Sequence, residues 1–266
     1  LSISVEPLYK VLNVLSLIAS PSVVSQGQLV TLVQTVRNDG VVDALATTVG
    51  ASVITGAAVL QSGPLPSAFA SYLTYGASLQ QAFTYIYAAN TVGSLAFTAF
   101  AQAEGQTYTG TSNSIMVQAP SQLSVTAFTL APGSLSDGQV FTLSVTVSNG
   151  GQATALGVAP SNIVRSGTSG APVLSGPTPS SVTLAGGSQQ VFIYTGTAVS
   201  GSAGTQWSLG YQIKASGTDS NSGALTTTAN FFASNTVTVY KRASLGAQLS
   251  LSRSQVNVGQ TFQVLM

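Results

Sequence analysis

Apolar and polar positions alternate along much of this chain. In Phe141-Thr142-Leu143-Ser144-Val145-Thr146-Val147 the period of two puts Phe141, Leu143, Val145 and Val147 on one buried face of a strand, and Leu29 to Val36 repeats the pattern. Asn38-Asp39-Gly40 and Asn149-Gly150-Gly151 follow these two strands and predict tight turns built on positive-φ residues. Pro21 and Pro132 fall at edge or loop positions where a missing N–H is tolerated, and Pro64, Pro66, Pro177 and Pro179 predict a loop halfway through each unit. No stretch combines helical periodicity with caps.

The strand pattern recurs as part of a longer repeat. Leu15 to Ala44 returns as Val125 to Ala155, and a shortened third copy occupies Leu249 to Met266. Gly27-Gln28, Gly138-Gln139 and Gly259-Gln260 mark the three copies, at spacings of 111 and 121 residues between the glycines. Later markers keep the order: Ser62-Gly63-Pro64 with Ser175-Gly176-Pro177, Gln80 to Tyr85 with Gln189 to Tyr194, and Ser112-Asn113 with Ser234-Asn235. Several short strands in each unit of roughly 110 residues, with turn signals between them, predict an all-β chain of tandem immunoglobulin-like β-sandwich domains. The expected divisions are 1–11, the closing strand of a preceding or partner domain; 12–120 and 121–243, two sandwiches; and 244–266, the opening strands of a further, incomplete domain. Leu1, Ile3 and Val5 alternate like a closing strand, which suggests a segment able to add to a sandwich of another subunit.

Composition narrows the function. Charged residues are 5% of the chain, against about 25% in an average soluble protein, while 44% is hydrophobic, so the chain can build cores but repels its neighbours weakly. A net charge of +1 offers nothing to phosphates, which excludes nucleic acid as a partner. The uncharged stretch Ala44 to Leu60 carries Thr47, Thr48, Ser52 and Thr55 and is too short to span a bilayer, which needs about 20 residues, so strands are expected there and no membrane span in this segment. There is no cysteine and no histidine, which removes disulfides, thiolate chemistry and the usual general base and metal ligand.

The run Ser20-Pro21, Gly27-Gln28, Thr31 to Val36, Asn38 and Gly40, repeated as Pro132, Gly138-Gln139, Thr142 to Val147, Asn149 and Gly151, resembles the immunoglobulin-like repeats of prokaryotic surface proteins: the bacterial cell-adhesion-related domain and the archaeal S-layer-type repeats. The resemblance covers the first third of each unit. It implies an extracellular, cell-surface location and a spacer, adhesive or lattice-building role.

Serine catalysis lacks a base, since Lys10, Lys214 and Lys241 have no Ser-x-x-Lys context. Glycoside hydrolysis needs paired carboxylates, whereas Glu6, Asp39, Asp43, Glu104, Asp137 and Asp219 are scattered and read as solvated turn residues. Asp39 with Asp43, or Asp219 with Asn221, would supply too few oxygens for a calcium ion, so no metal is expected. Lys10, Asn113 and Glu104 could be assembled into an isopeptide set, but the second unit has no equivalent lysine. Trp207, Tyr211 and Tyr194, with Phe192 and Tyr72, Tyr75, Phe83, Tyr85 and Tyr87, could stack on sugars or fill interfaces, although core packing is the default use of such residues. None of the ten asparagines opens an N-x-Ser/Thr sequon.

The sequence thus leads to an expectation of no enzyme, no cofactor and no metal. It predicts a structural subunit of an extracellular filament or surface layer, with copies of itself as partners. The alternative is a carbohydrate-binding or adhesive stalk that meets surface glycans.

Overall fold

The computed structural model describes residues 11–45, 48–67, 72–73, 80–103 and 105–266. Leu1, Ile3 and Val5, the candidate strand-exchange positions, lie outside them, as do Lys10, Glu104 and the side chains of Tyr72 and Tyr75.

The chain is all-β and forms tandem immunoglobulin-like sandwiches. The first contains β1 (Leu12–Ser20), β2 (Val23–Ser25), β3 (Leu29–Asn38), β4 (Ala44–Leu45), β5 (Thr48–Thr55), β6 (Ala58–Leu65), β7 (Tyr72–Leu73), β8 (Gln80–Ala89), β9 (Gly93–Ala103), β10 (Gln106–Thr111) and β11 (Ile115–Gln118). One sheet has the order β1-β3-β8-β6; the other runs β10-β9-β11-β2, with β5 also on β9. The opening segment changes sheets at Pro21, so that β2 pairs in parallel with the closing strand β11. This crossing ties both sheets together at one end of the sandwich.

The second sandwich repeats the plan with β12 (Leu123–Ala131), β13 (Ser134–Ser136), β14 (Val140–Asn149), β15 (Ala155–Ser166), β16 (Leu174–Thr178), β17 (Val182–Leu184), β18 (Gln189–Thr197), β19 (Gln206–Asp219), β20 (Leu225–Thr227), β21 (Phe232–Ala233) and β22 (Val237–Tyr240). Its sheets are β12-β14-β18-β16 and β13-β22-β19-β15-β17, again with a parallel first–last pairing, β13 on β22. A hairpin of β23 (Ser250–Leu251) and β24 (Val264–Leu265) follows. It pairs Ser250 with Leu265 and Leu251 with Val264, matching Ile18 with Val33 and Ala19 with Leu32 in the first copy.

Each sandwich has its own core, and the alternation in sequence is what fills it. Phe141, Leu143, Val145 and Val147, with Phe192 beside them on the neighbouring strand, share the second core with Leu209, Ile213 and Val239 of the other sheet; Leu32 and Val36 share the first with Phe83, Tyr85, Phe97 and Val117. Each such side chain contributes about 1.5–3 kcal/mol by leaving water.

The repeated polar residues hold the strands at fixed points. Gly27, Gly138 and Gly259 take φ of 89°, 81° and 87°, a left-handed conformation that favours glycine. In each copy the following glutamine folds back: Gln28 Oε1 accepts from Ser25 N, Gln139 Oε1 from Ser136 N and Gln260 Oε1 from Asn257 N. Asn113 acts as a side-chain strand, accepting from Ala19 N at 2.8 Å and donating to Ala19 O at 2.9 Å. Asn235 does the same with Leu130 at 2.7 and 2.9 Å. Both amide functions of Asn113 are therefore engaged by backbone, away from any isopeptide role.

Two sequence expectations change. Neither Gly40 nor Gly150 and Gly151 adopt positive φ; each turn is held by its buried asparagine, Asn38 Oδ1 accepting from Gly40 N and Nδ2 donating to Val42 O, Asn149 Oδ1 accepting from Gly151 N and Nδ2 donating to Ala153 O. The prolines Pro64 and Pro177 do not mark a plain loop but sit within β6 and β16, at the edges of their sheets where the pairing register shifts. No helix among the described residues is long and apolar enough to cross a membrane.

Candidate functional site: the joint between the sandwiches

Four residues, Ala119 to Gln122, connect β11 to β12, and nearly every backbone group of this link is bound. Ala119 N donates to Gln152 Oε1, and Ala119 O accepts from Gln152 N and Ala153 N. Gln122 N donates to Asn149 Oδ1, and Gln122 O accepts from Gly150 N. Thr226 Oγ1 donates to Ser121 O. A Cβ on Gly151 would run into the carbonyl oxygen of Pro120, so the absence of a side chain is what lets the link lie against the second sandwich. Few bonds are left about which the link could turn.

At its centre is Asp219, at the end of β19 and 2% exposed. Its carboxylate accepts from Ser121 N in the link at 2.7 Å. Asn221 N (3.1 Å), Ser222 N (2.9 Å) and Ser222 Oγ (2.9 Å) donate from its own turn. Ser25 Oγ, 1% exposed, donates from the first sandwich at 2.9 Å. Burial pushes this acid upward, but the backbone donors of Ser121 and Ser222 and the hydroxyls of Ser222 and Ser25 outweigh it and hold its pKa at about 2. The anion is thus satisfied by neutral donors from three segments.

Further bonds cross the joint beside it. Gln28 Nε2 donates to Asn221 O at 2.9 Å, and Asn221 Nδ2 donates to Gln118 Oε1 at 2.8 Å and Ser25 Oγ at 3.3 Å. The Gly-Gln turn therefore has two uses at this end: Oε1 of Gln28 shapes its own turn and Nε2 grips the next sandwich. Together with the buried bonds to Asp219, these part-buried ones have little freedom to re-form in another orientation, which makes the joint a positioning device. The oxygens of Asp219 face N–H and O–H donors, an arrangement that suits an anion and leaves no opening for a cation.

Reading Asp219 as a solvated turn residue is therefore corrected: the sequence shows its turn but not the sandwich packed over it. Asp39 does sit at the surface, where it pairs with Arg37 and accepts from Asn13 Nδ2 at 3.0 Å. The neighbouring guanidinium and amide hold its carboxyl below the usual range. No group of three or more acidic metal-ligating side chains occurs among the described residues.

The aromatic candidates fall elsewhere. Trp207, Tyr194 and Tyr211 are 8%, 6% and 3% exposed and belong to the second core, so they offer no face for a sugar ring to stack on. The Trp207 indole N–H donates to Ala203 O at 2.7 Å. Its edge borders a shallow hollow of about 300 Å³ lined by Thr168, Gln206, Ser208 and Thr238. Burial raises the Tyr211 hydroxyl to about 12, and Tyr194 shifts upward for the same reason. Phe83, Tyr85 and Tyr87 fill the first core along one face of β8, with Tyr85 Oη donating to buried Gln34.

Topology and pairing thus define a chain of immunoglobulin-like β-sandwiches in series. No protein-family profile matches it, and no curated protein matches it in sequence. Among solved structures it is similar to the D0-D1 domain of intimin, with 14% identity over 86% of this chain and 100% of that one, at a TM-score of 0.27. It is similar to the Yersinia pseudotuberculosis adhesin InvE, with 16% identity over 84% of this chain and 58% of that one, at 0.27. A D1-D4 ectodomain fragment of ICAM-5 gives 18% identity over 94% of this chain and 59% of that one, also at 0.27. The chain thus spans less than two thirds of the InvE and ICAM-5 structures. At such scores nothing about binding or assembly passes from these proteins to this chain.

Proposed function

We propose that this chain is a structural, non-catalytic segment of an extracellular surface structure, in which immunoglobulin-like sandwiches are set in series by stiff joints. The observation that carries this reading is the buried Asp219 joint, where Ser25, Gln28 and Gln118 of one sandwich are bonded to the Asp219–Ser222 turn of the next. A spacer needs direction as well as length, and a bonded link supplies direction. The low charge supports a crowded, self-associating setting, because copies of the chain repel each other weakly. In the filament or surface-layer form of this proposal the partner is another copy, with the segment carrying Leu1, Ile3 and Val5 adding to its sheet. Buried Trp207, Tyr194 and Tyr211 weigh against the glycan-binding alternative.

Small-angle scattering on the full chain tests the spacer. One extended envelope, unchanged between low and high salt, is expected, because a buried carboxylate among neutral donors is screened little. A distribution of bent and straight shapes would remove the spacer role. Sedimentation and electron microscopy test the polymer form: assemblies that persist after deletion of residues 1–11 would rule out strand addition by that segment.

A further inference from the structure

The end of the first sandwich that grips Asp219 is built a second time. At the far end of the second sandwich Ser136 and Tyr240 are paired as Ser25 and Gln118 are. Gly138 N donates to Ala198 O and Ala198 N to Gln139 O, as Gly27 N does to Ala89 O and Ala89 N to Gln28 O. Asp137 N donates to Tyr240 O as Gln26 N does to Gln118 O. The difference lies in what covers them. Ser25 is buried under the Asp219 turn, whereas Ser136 and Gln139 are exposed, and Ser136 Oγ and Gln139 Nε2 have no hydrogen-bond partner among the described residues.

Charge at this second end favours the same kind of occupant. Arg242 donates from Nε and Nη2 to Asp137 O, and its guanidinium lies across Gly138 where a Cβ would collide with it. Lys241 is exposed beside it. Asp137, the one acid nearby among the described residues, is engaged by its own sandwich: its Oδ1 accepts from Ser200 N at 2.8 Å. The end therefore presents free neutral donors and cations, with its own carboxylate already engaged.

We infer that the end formed by Ser136, Gln139, Tyr240 and Arg242 is a docking face for a carboxylate-bearing hairpin turn of another immunoglobulin-like sandwich, equivalent to the Asp219–Ser222 turn. The inference rests on the series arrangement proposed above and names the chemistry of the next joint. Ser136 Oγ takes the role of Ser25 Oγ, and Gln139 Nε2 that of Gln28 Nε2. Arg242 adds a cationic partner for the carboxylate, which the first joint, built from neutral donors, lacks.

A peptide of residues 217–224, titrated into the isotope-labelled full chain and followed by amide shifts, tests this. Ser136, Gln139 and Arg242 should shift, while Ser25 and Gln28 stay still, because the tethered Asp219 turn already holds the first end at high effective concentration. A peptide with Asp219→Asn should bind at least about tenfold more weakly, the worth of a charge-assisted contact. Chains with Arg242→Ala, Gln139→Ala and, separately, Ser136→Ala should respond less; the first two remove bonds within the turn, whereas Ser136→Ala removes only a hydroxyl without a partner in the turn and so keeps it intact. No shift at millimolar peptide, or equal response to both peptides, would overturn the inference. Either result is independent of the scattering experiment, which reads how the sandwiches of one chain are set and not what docks on Ser136 and Gln139.

Discussion

Replacing Asp219 with asparagine keeps the shape of the buried joint and removes its charge. An Asn carries an N–H where Ser121 N or Ser25 Oγ needs an acceptor, so one or more buried donors lose their partner. The magnitude follows from the acid's own equilibrium. Its pKa falls from 3.8 to about 2, which at 1.36 kcal/mol per unit corresponds to a preference for the anion of roughly 2.5 kcal/mol. Asp219→Asn should therefore destabilise the second sandwich by about 2–3 kcal/mol, or on the order of 10 °C in melting temperature for a domain of this size. Because the folded pKa lies below the unfolded one, the stabilisation is present above about pH 4 and is lost as pH falls through 2. Calorimetry of both chains from pH 7 down to about pH 2 reads this directly. The wild type should lose its advantage across that window, and the two melting temperatures should converge. A variant that melts within about 1 °C of wild type at neutral pH would refute the reasoning, as would an undiminished gap at pH 2.

Four further outcomes follow from the same structure. Ser25→Ala removes the hydroxyl that reaches Asp219 across the joint and should cost about 1 kcal/mol in chemical denaturation, while loosening the joint as read by scattering. Asn235→Asp should destabilise the second sandwich by about 2 kcal/mol, because a carboxylate cannot donate to Leu130 O; Asn235→Gln should not restore it if the two-bond geometry is the cause. Trp207→Ala should lower stability by about 3–5 kcal/mol through a core cavity, and a stable variant that had instead lost glycan binding on an array would contradict the buried assignment. Tyr211 titrates at about 12 in the fold against about 10 when unfolded, so stability is intact below pH 10 and falls above it; the phenolate absorbance and the loss of fold should rise together.

The repeat and the alternation carried the fold into view because both are local. Phe141 to Val147 reads as a strand from its own spacing, and Gly27, Gly138 and Gly259 announce the same turn wherever they stand. The joint was not legible in this way. Asp219 and Ser25 are separated by nearly two hundred positions, and nothing near either residue says that they meet. Asp219 was visible as a turn residue among Ser220, Asn221, Ser222 and Gly223, and its burial comes from packing between two sandwiches that each look complete on their own. The aromatics taught the opposite lesson. Trp207, Tyr194 and Tyr211 stand out by chemical type, whereas their places at alternate residues of β18 and β19 put them on the buried faces of those strands. The repeated serine-asparagine pairs stand out in the sequence as markers, while their work as strand clamps depends on Ala19 and Leu130, which lie 94 and 105 positions away from Asn113 and Asn235.

On this account the two sandwiches are held in one orientation by the bonded link from Ala119 to Gln122 and the Asp219 turn. Backbone NMR relaxation on the full chain measures this most directly, since it gives the tumbling of each sandwich separately. A fixed joint predicts that both report one common, strongly anisotropic rotation, and that Asp219→Ala makes them tumble independently while each keeps its fold. Independent tumbling in the wild-type chain would contradict the account.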